Sequence, residues 1–513
     1  MTHFSWIDGS IVGLYLVATM VIGLKVRKYV GKVETFLVAG REMNVFLGIA
    51  SLAATEFGVV TCMYTAQNGF RHGFAGVTPG ILMALAMFVV GVTGFCVKPL
   101  RNAGVMTIPE LFQKQFGTKI RWAAGLVIVL GGLLNMGVFL RVTGEFLVLV
   151  CGLDIKYLEI MMTVLLLLGT IYTVVGGLLS VLITDFLQFI VMSIGLIAVT
   201  ILIMVNVGWD KLSITVSQHY GQGGFNPFIN KELGWQYVLF NAFLNFAVVL
   251  TWQTMISRLL AAKDSKTGQK IYTATSFFFV CRFLIPGIWG IAALAMLSPQ
   301  TISALAPDVQ QKITLYGMPI YLSSAVPVGL MGLLLAAMLA ADMSSTSSYM
   351  ITWGSVIYND LITPFRKGVW SEKRGIFWNR MIVSLIGIFL LFYGLWYPLK
   401  GDVWTYLGIT GTIYLSSMSS LLIACCYWKR ANSWGAAGAI FFGALIPILY
   451  LVLEQVPATS DFAKDVIGPY YSGIAAYVLA AAAMVIGSLM KPRHSGSETA
   501  EKTNTKSVVE IAK

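Results

Sequence analysis

Charge is what this sequence has least of. Asp, Glu, Lys and Arg make up 11% of its 513 residues, while 57% are hydrophobic. Apolar runs of about 20 residues recur along the chain, and each can span roughly 30 Å of hydrocarbon as a helix. This pattern excludes a soluble enzyme and leaves too little polar sequence for a separate extramembrane domain. Histidine is as scarce. His3, His72, His219 and His494 lie outside the apolar runs or at their edges, so no intramembrane cluster is available for a metal or a catalytic base. The six cysteines (Cys62, Cys96, Cys151, Cys281, Cys425 and Cys426) sit in or at the ends of apolar runs, which argues against a disulfide framework. No Asn-x-Ser/Thr sequon occurs, which fits a bacterial inner membrane. The first apolar run lacks a basic leader and a convincing cleavage site, and reads as a retained helix.

What is present is an all-α polytopic membrane pattern. Thirteen spans are expected, near 6–26, 46–70, 73–97, 122–151, 156–176, 178–206, 234–262, 271–297, 322–357, 379–398, 402–428, 434–454 and 470–490. With the N-terminus outside, the cytoplasmic segments hold 25 Lys or Arg and the external segments seven, which predicts an N-out, C-in plasma-membrane protein. The net charge of +12 is thus explained by topology, and no nucleic-acid partner is expected. The organisation expected is a first helix and the start of a linker over 1–33 and a core over 34–430. Two peripheral helices over 431–490 and a disordered cytoplasmic tail over 491–513 follow.

Some spans carry groups that lipid penalises. An ionisable side chain at a helix centre costs about 2.5–3.5 kcal/mol on insertion scales and usually faces a bundle interior. Span two contains Glu56 among Ala, Gly and Thr, and span seven contains Asn241, Asn245, Trp252, Gln253 and Arg258. Arg141 and Glu145, four apart on one helix, read as a structural pair. Arg258, just before "LLAAKD", reads as snorkelling to the interface. Glu56 and Asp185 have no local partner, which favours a functional role. On a helix, Ala341, Ser344, Ser345, Ser347 and Ser348 fall within an arc of about 160°, while Asp342 and Thr346 face the other way. Such an arc is either a polar helix–helix seam or half of a cage for a hard cation. Asp342 is expected to pair with a basic or hydroxyl group on a neighbouring helix. Spans two and seven are both interrupted and lie five apart, the mark of a five-plus-five inverted repeat with a midplane binding site.

Four stretches carry a resemblance. "GGLLSVLITDFLQ" (176–188) resembles the Gly-Gly…Thr-Asp-x-x-Gln signature of the sodium:solute symporter family. "FLVAGREM" (36–43), "TWQTMISRLLAAKD" (251–264) and "AAMLAADMSSTSS" (336–348) are similar to other motifs of that family, in the same order. The resemblance, which runs from about 34 to 361, implies a leucine-transporter-type fold and sodium-driven uptake of a sugar, amino acid, carboxylate or choline-like solute. It implies a first sodium site built from the carbonyls of Ala53, Glu56 and Ala341 and the hydroxyls of Ser344 and Ser345. Some members hold a second sodium ion, for which Asp185, Ser347 and Ser348 stand at the matching positions. A hard cation wants oxygen ligands, and an unwound backbone supplies them, so the cage reading of the serine arc agrees.

The family's substrate-contacting Asn matches Asn245, and Trp252-Gln253 resembles the Trp-Gln pair of choline-transporting relatives. Val60 and Pro79 stand near positions where sugar-transporting members carry polar groups, which weighs against a sugar. Glu56, Val60, Asn245, Trp252 and Gln253 are therefore the expected substrate contacts. A carboxylate at Glu56 would attract an amine-bearing or amino-acid-like solute, and Trp252 would add an aromatic face to the same cation. If Glu56 paired with Arg141 instead, the pocket would suit a neutral or anionic solute such as a sugar or monocarboxylate. The expected cargo is one or two Na+ with one small organic solute. The lipid bilayer is the expected surrounding, with no obligatory protein partner. A transporter-like sensor is disfavoured, since no kinase- or receiver-like sequence follows the last span.

Overall fold

Lipid offers no water to backbone groups, so a chain this apolar must satisfy them internally, and helices do so. The computed structural model describes residues 4–26, 32–366, 368, 370–397 and 402–491; from 492 onward the expected tail lies outside the described residues. Helix is the regular structure among the described residues, apart from one isolated bridge between Met43 and Ala262. Fifteen helices build the bundle: α1 (Trp6–Val26), α2 (Val45–Glu56), α3 (Val59–His72), α4 (Thr78–Thr93), α5 (Thr118–Gly137), α6 (Phe139–Val150), α7 (Leu158–Asn206), α8 (Gly234–Thr251), α9 (Gln253–Ala261), α10 (Ser265–Met296), α11 (Leu330–Val356), α12 (Glu372–Trp396), α13 (Val403–Tyr427), α14 (Ser433–Gln455) and α15 (Pro469–Met490). Shorter helices and turns connect them.

Eleven helical stretches among the described residues are long and apolar enough to cross a membrane. One of them, Val59–Thr93, runs through the places of the second and third expected spans. The places of the fifth and sixth fall on α7, where Gly177 (φ 59°, ψ −167°) breaks the helix at the expected boundary. The surface is apolar where lipid would lie, with Leu14, Leu85, Ile201, Val205 and Leu385 exposed. The polar side chains Ser51, Thr55, Asp185, Asn241, Arg258 and Ser344 are buried instead.

Among the described residues, the second and seventh expected spans are both interrupted. The first breaks at Phe57 and Gly58, between α2 and α3, where Gly58 is extended (φ −99°, ψ 172°). The second breaks at Trp252 (φ −65°, ψ 115°), between α8 and α9. Helix ends leave carbonyls without intrahelical partners, so the first break frees those of Ala53, Ala54, Thr55 and Glu56 in mid-bundle. The two interrupted helices run in opposite senses. Just before α2, the Met43 amide donates to the Ala261 carbonyl (3.0 Å), and the Lys263 amide donates to the Met43 carbonyl (3.1 Å) just after α9. Asp264 then caps α10 by accepting from the Thr267 amide (2.7 Å), a bond that holds its carboxyl below the usual range.

Backbones approach closely where side chains are absent. A Cβ added at Gly69 of α3 would stand 2.2 Å from the Gly287 carbonyl oxygen of α10. One added at Gly290 would stand 1.9 Å from the Ala66 carbonyl oxygen. No side chain fits at either place, and α3 and α10 pack backbone to backbone.

Candidate functional site

A cavity of about 70 Å³ opens beside both breaks. Its polar lining is Glu56, Thr61, Asn135, Asn245 and Arg282; its aromatic lining includes Tyr64, Trp252, Tyr349 and Trp404. Glu56, the last residue of α2, is 2% exposed and accepts a hydrogen bond from Thr254 Oγ1 of α9 (2.6 Å). One carboxylate thus spans both interrupted helices. Arg282 of α10 brings Nη1 to 3.7 Å from Glu56 Oε2, while its Nη2 donates to the Tyr64 hydroxyl (2.9 Å) and to Thr61 Oγ1 (3.3 Å). The Nε of Arg282 is buried and has no hydrogen-bond partner. A buried, unsatisfied donor is costly unless a ligand completes it.

Of the expected substrate contacts, Glu56, Val60, Asn245 and Trp252 line this cavity. Gln253 and Pro79 are buried outside its lining. Asn245 Nδ2 donates to the Asn241 carbonyl (2.8 Å), which leaves its buried Oδ1 without a partner. Trp252 sits in an aromatic cluster, edge-on to Tyr349 (5.7 Å between centroids) and Trp353 (5.9 Å) and stacked on Tyr414 (6.0 Å). The sequence reading missed Arg282, although its place in the apolar run "FFFVCRFLIPG" was a signal. The alternative pairing of Glu56 with Arg141 is not formed. Arg141 instead reaches Glu145 (3.4 Å), which Lys312 also reaches (3.4 Å), in line with the structural pair expected there.

The serine arc of α11 faces the first break and the second half of α7. Ser345 Oγ donates to the Thr55 carbonyl (2.8 Å), one of those freed by the break. A Cβ built at Gly58 would stand 2.9 Å from Ser345 Oγ and 4.0 Å from the Ala341 carbonyl oxygen, so these groups meet at the unwound segment. Ala53 is buried in the last turn of α2. Ser344 Oγ donates to Asp185 Oδ1 (2.6 Å), and Ser347 Oγ donates back to the Met343 carbonyl (2.6 Å).

Two expectations need correction. Arg258 does not snorkel. It is 0% exposed and its Nη2 donates to Thr55 Oγ1 (2.6 Å), Ser348 Oγ (2.5 Å) and Asp185 Oδ2 (3.2 Å). Asp185, expected to lack a partner, therefore has a guanidinium, and Ser51 Oγ also donates to it (2.6 Å). The physical reason is that Arg258 stands on the face of α9 turned to α2, α7 and α11, whose buried oxygens bind it, although the chain is exposed again at Lys263. Asp342, which faces away from this cluster, accepts from Thr143 Oγ1 of α6 (2.7 Å), the kind of partner expected for it.

Comparison with known proteins bears on what such a site does. A model of the sodium:solute symporter family matches residues 36–443. The chain is 25% identical to a sodium/glucose cotransporter 4 of Danio rerio, over 90% of this chain and 74% of that one. It is 26% identical to a sodium/glucose cotransporter 1 of Mus musculus, over 90% and 75% respectively. Among solved structures, a Na+-coupled sialic acid symporter in a substrate-bound, outward-open state superposes with a TM-score of 0.79 at 19% identity, covering 95% of this chain and 99% of that one. A nucleobase-cation-symport-1 family transporter in a closed conformation superposes with a TM-score of 0.55 at 13% identity, over 90% and 97%.

Proposed function

The chain belongs to the sodium:solute symporter family, a family of membrane transporters with Na+ as the co-transported ion, and from that premise we propose that its solute is small and zwitterionic, of amino-acid type. The observation that carries this reading is the facing of Glu56 and Arg282 across 3.7 Å inside one cavity. A solute carrying an amine and a carboxylate offers each of them an opposite charge. The carboxylate goes to Arg282, whose Nε lacks a partner, and the amine goes to Glu56 and the face of Trp252. The pocket then holds two charge pairs instead of one, with none left over.

The ion is placed at the first break, among the carbonyls of Ala53, Glu56 and Ala341 and the hydroxyls of Ser344 and Ser345. Both hydroxyl protons are engaged elsewhere, on the Asp185 carboxylate and the Thr55 carbonyl, so oxygen lone pairs are left for a cation. Glu56 belongs to both places, its carbonyl to the ion and its side chain to the solute. That shared residue gives sodium and solute a direct route of coupling. On this reading the N-terminus lies outside a plasma membrane and the C-terminus inside, an orientation that the Lys/Arg bias supports. The family resemblance would put a second ion, where one is bound, at Asp185 with Ser347 and Ser348.

Uptake into proteoliposomes under an inward sodium gradient tests the reading. A panel of labelled amino acids, sugars, monocarboxylates and quaternary amines is supplied in competition. Inhibition by amino acids that carry both charged groups, and lost when either is blocked, is expected. A sugar is the second reading, because the relatives include sodium/glucose cotransporters and because Asn135, Asn245 and Thr61 offer uncharged partners for hydroxyls. Inhibition by sugars alone would select it. Full uptake without sodium, driven by a pH gradient, would overturn the placement of the ion.

A further inference from the structure

The cluster around Asp185 is chemically a cation site. One carboxylate and the hydroxyls of Ser51, Thr55, Ser344 and Ser348 converge there from α2, α7 and α11, all of them buried. Hard cations take such oxygen donors. A cation already occupies the cluster, and it is part of the chain. The Arg258 guanidinium reaches in from α9 and donates to Ser51 (Nε, 3.2 Å), Thr55, Ser348 and Asp185 (Nη2), with its Nη1 on Ser257 (3.1 Å). The other carboxylate close by, Glu56, faces Arg282. The sum at Asp185 is therefore one negative and one positive charge. A sodium ion added there would leave a net positive charge in a fully buried cluster, where an uncompensated charge is costly.

We infer that Arg258 is a tethered cation that stands in for a second sodium ion, so that the transporter binds one sodium per cycle. Its second effect is on the first ion. Arg258 donates to Asp185 Oδ2 and Ser344 donates to Oδ1, so Ser344 spends its proton on Asp185 and presents lone pairs on its other side. Arg258 acts here as a positioning residue, and this effect rests on the placement of the first ion proposed above. The feature that sets the sodium count is then the length of one side chain. With Arg258 shortened to a neutral residue, the same carboxylate and hydroxyls become free to hold an ion of their own.

Equilibrium binding of radiolabelled sodium to the purified full-length protein, in the absence of solute, tests this without reference to what the solute is. The wild type is expected to bind one ion, Arg258→Gln two, and Arg258→Lys one, since lysine keeps the cation. The double variant Asp185→Asn/Arg258→Gln, with both charges removed, is expected to bind one. If Arg258→Gln is too unstable to purify in sodium-free buffer, its thermal stability is followed against sodium concentration. A slope corresponding to one more bound ion than the wild type supports the inference, and an equal slope overturns it. Two ions on the wild type, none on it, or a folded Arg258→Gln that binds only one, also overturn it. Ser345→Ala separates the two readings. An unchanged sodium affinity in that variant, with the Arg258 series behaving as expected, would remove the placement of the first ion and leave the tethered cation standing.

Discussion

Two buried carboxylate–arginine pairs lie on either side of the first break, and they are built to opposite specifications. In Glu56–Arg282 the charges stand 3.7 Å apart beside a cavity, and one guanidinium nitrogen has no partner. In Asp185–Arg258 every guanidinium nitrogen donates, both carboxylate oxygens accept, and the residues that border the cavity do not include either member. The first pair is under-satisfied, and a ligand can complete it. The second is complete, so that adding anything disturbs it. Reading both as "a charged residue in a membrane helix" would assign them one role, whereas hydrogen-bond satisfaction separates a pair open to a ligand from a pair that balances its own charge.

The comparison is broken most severely by removing one member of the complete pair. Arg258→Ala leaves Asp185 as an uncompensated buried charge and is expected to cost about 3–5 kcal/mol of stability in sodium-free buffer. Thermal unfolding in detergent measures it, and Asp185→Asn/Arg258→Gln should recover most of the loss. Equal damage in the single and double variants would show that the pair is not an electrostatic unit. The loose pair should respond differently. Arg282→Gln is expected to fold and to bind sodium with little change, while solute uptake falls by about 100-fold or more, as for a charge partner lost from a buried ligand site. A loss of stability as large as that of Arg258→Ala would make the two pairs alike.

Between the pairs stands Ser345. Replacing it by Ala removes one oxygen from the break, and the sodium concentration for half-maximal uptake should rise about tenfold, the worth of one hydrogen bond or ligand to a charge. The smallest effect is expected at a distance. Thr143→Val removes the donor to Asp342 and should cost about 1 kcal/mol of stability without moving sodium affinity. A large shift in sodium affinity there would draw Asp342 into the ion site.

The apolar helices and both breaks were legible because hydropathy and the run of Gly, Ala and Thr around Glu56 are local properties, although eleven stretches rather than thirteen are long and apolar enough to cross a membrane among the described residues. The serine arc of α11 was legible for the same reason, since its five positions share one face by helical geometry alone. The pairings were not. Arg258 and Asp185 are 73 positions apart, and nothing in either segment names the other. Arg258 was misread because a basic residue followed by "LLAAKD" looks like the end of a membrane span. Its direction is decided by Ser51, Thr55, Asp185 and Ser348, which come from other helices. Arg282 was passed over because an arginine in an apolar run can serve structure or solute, and only the cavity distinguishes them. Asp342 was easier: its direction followed from the helix, and only the identity of Thr143 had to wait for the fold.

The backbone-to-backbone seam between α3 and α10 has a mechanical consequence. With Gly69 against Gly287 and Gly290 against Ala66, these helices have no side-chain layer between them to shear, so they move as one rigid plate. Tyr64 lies on one half of that plate and Arg282 on the other, joined by a 2.9 Å hydrogen bond. On the reading proposed above, any motion that opens the cavity to one side and then the other falls between this plate and other helices that line it, among them α5, α6, α8, α11 and α13, so the plate is the fixed half of the grip.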